Sequence, residues 1–119
     1  MKTILVADDA EFMRMRCTKL LHENGYETIV ATNGKEAVEM YKAKKPDLVL
    51  LDISMPEMSG FEALQEILKL DKNAKVAMVT AVNAKPMVVK CIEAGAKDFV
   101  IKPFEPSRVL NTVHKLVGS

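Results

Sequence analysis

Five short apolar runs, at residues 2 to 7, 27 to 31, 47 to 52, 75 to 80 and 98 to 102, alternate with longer segments whose apolar residues recur at helical spacing. Short, continuous runs rich in Val, Ile and Leu suit strands buried on both faces. Between them stand Phe12, Met13, Cys17, Leu20 and Leu21, then Ala37, Val38 and Tyr41, then Phe61, Leu64, Ile67 and Leu68. Val109, Leu110, Val113, Leu116 and Val117 repeat the helical period at the end. Punctuation agrees: Gly25 and Gly95 are placed to end the first and fourth helices, and Pro46 blocks continuation of the second. Pro86 and Pro106 fall near helix starts, where a missing N–H costs little. Five strand–helix alternations imply a parallel sheet with right-handed crossovers and helices on both faces. The expected fold is therefore α/β, a five-stranded parallel doubly wound sheet.

The chain of 119 residues is long enough to bury a core without disulfides or a structural metal, and it reads as one domain over residues 1–119. Lys and Arg total 17 against 16 Asp and Glu, a net charge of +1, so the basic field that nucleic-acid phosphates require is absent. The apolar runs are far short of the roughly 20 residues of a membrane span, and Met1-Lys2 leads straight into a strand rather than a signal peptide. The expectation is a cytoplasmic protein without nucleic-acid or membrane partners. Cys17 and Cys91 lack a CxxC or His-rich companion and read as buried free thiols, and His22 and His114 as isolated surface residues. Met13, Met55, Met58 and Met87 stand near the expected crevice rim, where methionine serves equally as a gap filler.

The apolar runs end in polar residues: Asp8 and Asp9, Asp52, Thr80 and Lys102. In a parallel α/β sheet the carboxyl ends of the strands share one edge, so these groups converge on one crevice. Asp8 and Asp9 could merely cap the following helix. Three converging carboxylates, however, repel by about 4 kcal/mol per close pair at ~4 Å and an effective dielectric of ~20. A hard divalent cation such as Mg2+ offsets that repulsion with a few carboxylates and waters. Lys102 can neutralise charge and hold a phosphoryl oxygen, and Thr80 can donate its hydroxyl. The set suits phosphoryl transfer onto Asp52 as nucleophile. No GxxxxGK[ST] or GxGxxG motif is present, so the donor is expected to be another molecule rather than a bound nucleotide.

The stretches DDAEFMR (Asp8 to Arg14), DISMPEMSG (Asp52 to Gly60), Thr80-Ala81 and AGAKDFVIKPF (Ala94 to Phe104) resemble the receiver domain of two-component response regulators. The resemblance covers essentially the whole chain and is greatest to single-domain chemotaxis regulators. It implies the flavodoxin-like strand order 2-1-3-4-5. It also implies Asp52 as phospho-acceptor from a histidine kinase. Asp9 and Asp52 would ligate Mg2+ directly, Asp8 mainly through water, and Ser54 through its carbonyl. Lys102 would sense the phosphoryl group, next to a cis Lys102–Pro103 bond. In the implied switch, Thr80 turns toward the phosphoryl group and Phe99 moves into the space it leaves. Tyrosine is common at that position, and Phe99 lacks its hydroxyl, which leaves a purely steric switch. Neither Ser54 nor Val82 carries an acid or amide that could orient a hydrolytic water, so slow self-hydrolysis is expected. The implied output face comprises Lys85, Met87, Val89, Lys90, Phe99, Glu105, Ser107 and Arg108.

Functionally the resemblance implies a monomeric, phosphorylation-activated switch that binds a protein target such as the flagellar motor switch. It would catalyse only its own modification and would not be an enzyme in the turnover sense. An alternative role is a phosphorelay intermediate passing the group to a histidine phosphotransfer protein. A Mg2+-dependent phosphohydrolase is a third reading, weakened because Ser54 stands where a general acid would be needed. A flavodoxin-like binding domain without phosphorylation is a fourth, and it requires the five polar residues to coincide by chance.

Overall fold

A computed structural model describes residues 1–81 and 84–118. In chain order the elements are β1 (Thr3–Ala7), α1 (Glu11–Glu23), β2 (Glu27–Ala31), α2 (Gly34–Lys44), β3 (Leu48–Asp52), α3 (Gly60–Leu70), β4 (Val76–Ala81), α4 (Lys85–Ala94), β5 (Asp98–Lys102) and α5 (Pro106–Val117). The five strands form one sheet in the order β2-β1-β3-β4-β5, with every neighbouring pair parallel. Fold class and strand order are thus as expected.

The continuous apolar runs are explained by two cores, one on each face of the sheet. Leu5 and Ala7 of β1 with Val49 and Leu51 of β3 pack under α2, α3 and α4, against Ala37, Tyr41, Leu64, Ile67, Val88 and Cys91. Ile4 and Val6 with Leu48 and Leu50 face the other way, against Cys17 and Leu21 of α1 and Val109, Val113 and Val117 of α5. Successive strand residues point to opposite faces, so a central strand covered on both sides must be apolar at every position.

The edge strands depart from that expectation. Val30 of β2 and Ile101 of β5 are each 42% exposed, on the two strands that have a neighbour on one side only. Phe12 also departs from the inward stripe expected for α1. It is 68% exposed in the helix's first turn, and its ring lies 5.7 Å from the Arg16 guanidinium rather than against the sheet.

Local signals set the helix ends. Gly25 (φ 87°) and Gly95 (φ 122°) follow α1 and α4 in backbone conformations that suit glycine, and Lys45 (φ 46°) turns the chain before Pro46 after α2. Asn33 caps α2 by accepting the Glu36 N–H, and Ser59 with Glu62 forms a reciprocal capping box on α3. Both cysteines are free and buried, and both histidines are exposed. Met13, Met55, Met58 and Met87 are half-buried and pack against the cores. No helix among the described residues is long and apolar enough to cross a membrane.

Candidate functional site

The carboxyl ends of β1, β3, β4 and β5 lie along one sheet edge. Asp8 and Asp9 follow β1, Asp52 is the last residue of β3, Thr80 the penultimate residue of β4, and Lys102 the last of β5. Carboxylate oxygens of Asp8, Asp9 and Asp52 lie within 4.8 Å of one another. Asp8 and Asp52 are buried, whereas Asp9 is exposed at the mouth. The Lys102 Nζ reaches between the two buried acids, 2.8 Å from Asp8 Oδ2 and 3.0 Å from Asp52 Oδ2. The Ser54 backbone N–H donates to Asp52 Oδ1 at 3.3 Å.

These groups border a depression of about 440 Å3 lined by Asp9, Asp52, Ile53, Ser54, Thr80, Ala81, Ala84 and Lys102. Thr80 also lines a second cavity of about 220 Å3, bounded by Ala81, Lys85, Val88, Phe99 and Ile101. Its hydroxyl donates to the Ala81 carbonyl at 3.2 Å. Thr80 is therefore a wall between an acidic pocket and an apolar one. The half-buried Phe99 belongs to the apolar side and is not brought into the acidic cluster. Asp8, Asp9, Asp52, Ser54, Thr80 and Lys102 do come together there. The Lys102–Pro103 bond is cis, as expected. Val82 lies outside the described residues.

Capping does not explain the paired acids of β1. The N-cap of α1 is Ala10, with no side-chain cap. Asp8 Oδ1 instead accepts the Ala10 N–H at 2.9 Å while its other oxygen takes Lys102.

Burial is the largest influence on the Asp52 carboxyl and pushes it up. The Lys102 bond opposes that, the Asp8 charge adds to it, and the group stands at about 6. Lys102 responds differently: burial alone would lower it, but bonds to two carboxylates outweigh burial and raise it. The two outcomes are compatible because one ammonium enjoys two acids, whereas each acid shares one ammonium with a like-charged neighbour. Burial, reinforced by Asp8, also holds the Cys17 thiol near 12, so it offers no thiolate nucleophile. A buried, electron-rich carboxylate beside a cation and two further acids is equipped to attack an electrophilic phosphorus and to hold a hard cation.

Two supporting contacts were not legible from residue types. Arg14 Nη1 donates to the Asp8 carbonyl at 2.7 Å, tying the first turns of α1 to the pocket rim. Asp98, buried at the start of β5, is held by the Phe99 N–H at 2.8 Å, Thr112 Oγ1 at 3.1 Å, Arg108 at 3.3 Å and Lys115 at 2.9 Å. Burial pushes its carboxyl up, but these donors together outweigh that and leave it below its ordinary value. Arg108, Thr112 and Lys115 recur at spacings of four and three along α5, a polar stripe on one face that could have signalled an acidic partner.

The response regulator receiver domain family matches residues 4–114. The chain is 51% identical over 116 residues to the chemotaxis protein CheY of Thermotoga maritima and 50% identical over 116 residues to CheY of Bacillus subtilis, covering 97% of each chain in both pairs. Among solved structures, CheY in a CheX–CheY–BeF3–Mg2+ complex from Borrelia burgdorferi superposes with a TM-score of 0.93 at 36% identity. That match covers 99% of this chain and 90% of the other. With the sheet order, the acidic cluster and the opposing lysine in agreement, the chain belongs to the response regulator receiver domain family, as a CheY-like member serving phosphorylation-dependent signalling.

Proposed function

We propose that Asp52 accepts a phosphoryl group from a phosphohistidine of a histidine kinase and that the phosphorylated form binds a protein target. The observation that carries this reading is the Lys102 ammonium, set 3.0 Å from Asp52 and 2.8 Å from Asp8 in an acidic pocket. The Asp52 oxygen forms the new bond to phosphorus, the phosphorus–nitrogen bond of the donor breaks, and its electron pair stays with the imidazole. Lys102 offsets charge on the transferred oxygens, and the Ser54 N–H orients the carboxylate.

Carboxylate oxygens within 4.8 Å of one another fit a hard divalent cation, and Mg2+ is the proposed occupant. Asp9 and Asp52 would hold it directly, Asp8 through water, and Ser54 through its carbonyl. When bound, it neutralises charge on the entering phosphoryl group. The chain acts only on itself and turns over no separate substrate.

Phosphorylation adds about one negative charge and further acceptor oxygens to Asp52. Thr80 would turn its hydroxyl from the Ala81 carbonyl toward them, and Phe99 would move into the space released in the adjoining cavity. The output face would be the α4–β5–α5 surface, where Val89, Ile92 and Ile101 expose apolar side chains and Ile101 borders the same cavity as Phe99. The names of the chemotaxis protein CheY relatives support a chemotactic role, and the proposed target is the flagellar motor switch, with the chain acting as a cytoplasmic monomer. The test is intact-protein mass after incubation with acetyl phosphate, with and without Mg2+, beside an Asp52→Asn control. A Mg2+-dependent adduct absent from the control is expected. An adduct of equal yield in the control would reject Asp52 as acceptor.

A further inference from the structure

The segment from Ile53 to Ser59 leaves β3 at the pocket, which Ile53 and Ser54 line, and carries the Ser54 N–H that meets Asp52. It is held at both ends by close backbone approaches that only glycine permits. At Gly60 a methyl group would overlap the Asp52 carbonyl oxygen and stand 2.6 Å from the Ile53 Cα. At Gly34, the first residue of α2, it would overlap the Met58 carbonyl oxygen and stand 2.6 Å from the carbonyl carbon. A hydrogen bond and a strained backbone position accompany the second approach. Asn33 Nδ2 donates to Glu57 Oε2 at 3.2 Å, and Glu57 occupies the left-handed region at φ 66°, which disfavours residues with side chains. Met58 N–H to the Pro56 carbonyl and Gly60 N–H to the Ile53 carbonyl, both at 2.7 Å, make the segment a closed, stiff loop. A stiff loop moves as a body, so a shift imposed at Met58 is passed on to Ser54.

We infer that Gly34 is a positioning residue: it sets the height of the β3–α3 loop over the acidic pocket and thereby the affinity of that pocket for a divalent cation. Gly34 touches neither the carboxylates nor the proposed cation and acts through Met58 and the loop. The inference rests on the Mg2+ reading above.

The experiment is a Mg2+ titration followed by the amide resonances of residues 52–60, on wild type, Gly34→Ala and Gly25→Ala. Gly25, at φ 87° with open space around it, provides a variant strained by a methyl group but remote from the loop. Gly34→Ala is expected to shift the Ser54 amide resonance before any metal is added and to weaken Mg2+ binding about tenfold, the range seen when supporting groups around metal ligands are removed. Gly25→Ala is expected to lower the melting temperature while binding Mg2+ as wild type does. Should Gly34→Ala fail to fold, Asn33→Ser replaces it, since serine keeps the helix cap but cannot reach Glu57. A weakening of about threefold is then expected, the worth of one modest hydrogen bond. Wild-type affinity in the folded Gly34→Ala variant, or in Asn33→Ser where that variant is used, overturns the inference and leaves the Mg2+ reading intact. A wild type that binds no Mg2+ overturns both.

Discussion

Replacing Asp52 by asparagine should make the metal-free protein more stable at neutral and alkaline pH, although it removes the residue proposed to carry the function. The folded carboxyl stands at about 6 against an ordinary 3.8, raised chiefly by burial and further by Asp8, with Lys102 only partly compensating. A group raised on folding adds stability that is fully present below its unfolded value and is lost as pH rises through its folded value. The window is therefore about pH 4 to pH 6, and above it ionised Asp52 subtracts about 3 kcal/mol from the stability of the fold. The asparagine side chain has nothing to ionise, while its amide oxygen can still accept from Lys102 and from the Ser54 N–H. Allowing for a weaker bond to Lys102, the variant should gain about 1 to 3 kcal/mol at pH 8 and little or nothing at pH 4. The assay is urea unfolding in EDTA at half-unit pH steps from 4 to 8, reading the difference between variant and wild type so that other titrating groups cancel. A variant no more stable than wild type at pH 8, or a difference that stays flat between pH 4 and pH 7, would refute the argument from burial and like charge.

Mg2+ at a hundred times its dissociation constant should stabilise the wild type by about 2.7 kcal/mol and Asp52→Asn by clearly less, read as the shift in urea midpoint. Gly60→Ala should cost about 1–3 kcal/mol in the same assay, because its methyl group meets the Asp52 and Ile53 backbone rather than a flexible side chain. Asp98 is depressed rather than raised, so its contribution is present above its unfolded value near 3.8 and is lost as pH falls through its folded value. Asp98→Ala should therefore cost about 1–3 kcal/mol at pH 7 and progressively less in acid, as unfolding curves at pH 7 and pH 3 would show. Thr80→Ala should leave acetyl-phosphate labelling of Asp52 intact but abolish any phosphorylation-dependent change in Phe99 ring resonances.

The parts of the site legible in the sequence were those dictated by sheet geometry. A polar residue ending an apolar run in a parallel sheet has one place to go, so Asp8, Asp52, Thr80 and Lys102 could be assigned to one crevice before any distance was known. Strand order was different, since alternation alone permits several right-handed windings; it came from the resemblance of the motifs. Misreadings arose where coverage, not residue type, decides burial. Ile101 and Val30 sit in runs no different in kind from those of the central strands, yet they lie at edges. Phe12 fits the helical period of α1 but lies in its first turn and contacts Arg16. Asp98 was harder to assign because its side-chain partners lie on the following helix, and the polar stripe of Arg108, Thr112 and Lys115 shows that α5 faces an acid without showing which one.

The acidic pocket is a place where stability is forfeited for a usable charge. Asp8 and Asp52 share one ammonium with Asp9 close by, and burial, reinforced by the Asp8 charge, displaces Asp52 upward. A site balanced by a second lysine would be more stable, but it would gain less from a cation and respond less to a phosphoryl group. With Lys102 as the one cation paired to these acids among the described residues, each added negative charge must draw on Lys102, on a bound cation or on the Thr80 hydroxyl. Thr80 is the member of that set that also lines the apolar cavity beside Phe99. A change of charge on one side of the Thr80 wall can therefore become a change of packing on the other, provided that the two positions of the threonine differ in energy by no more than the interactions the phosphoryl group adds.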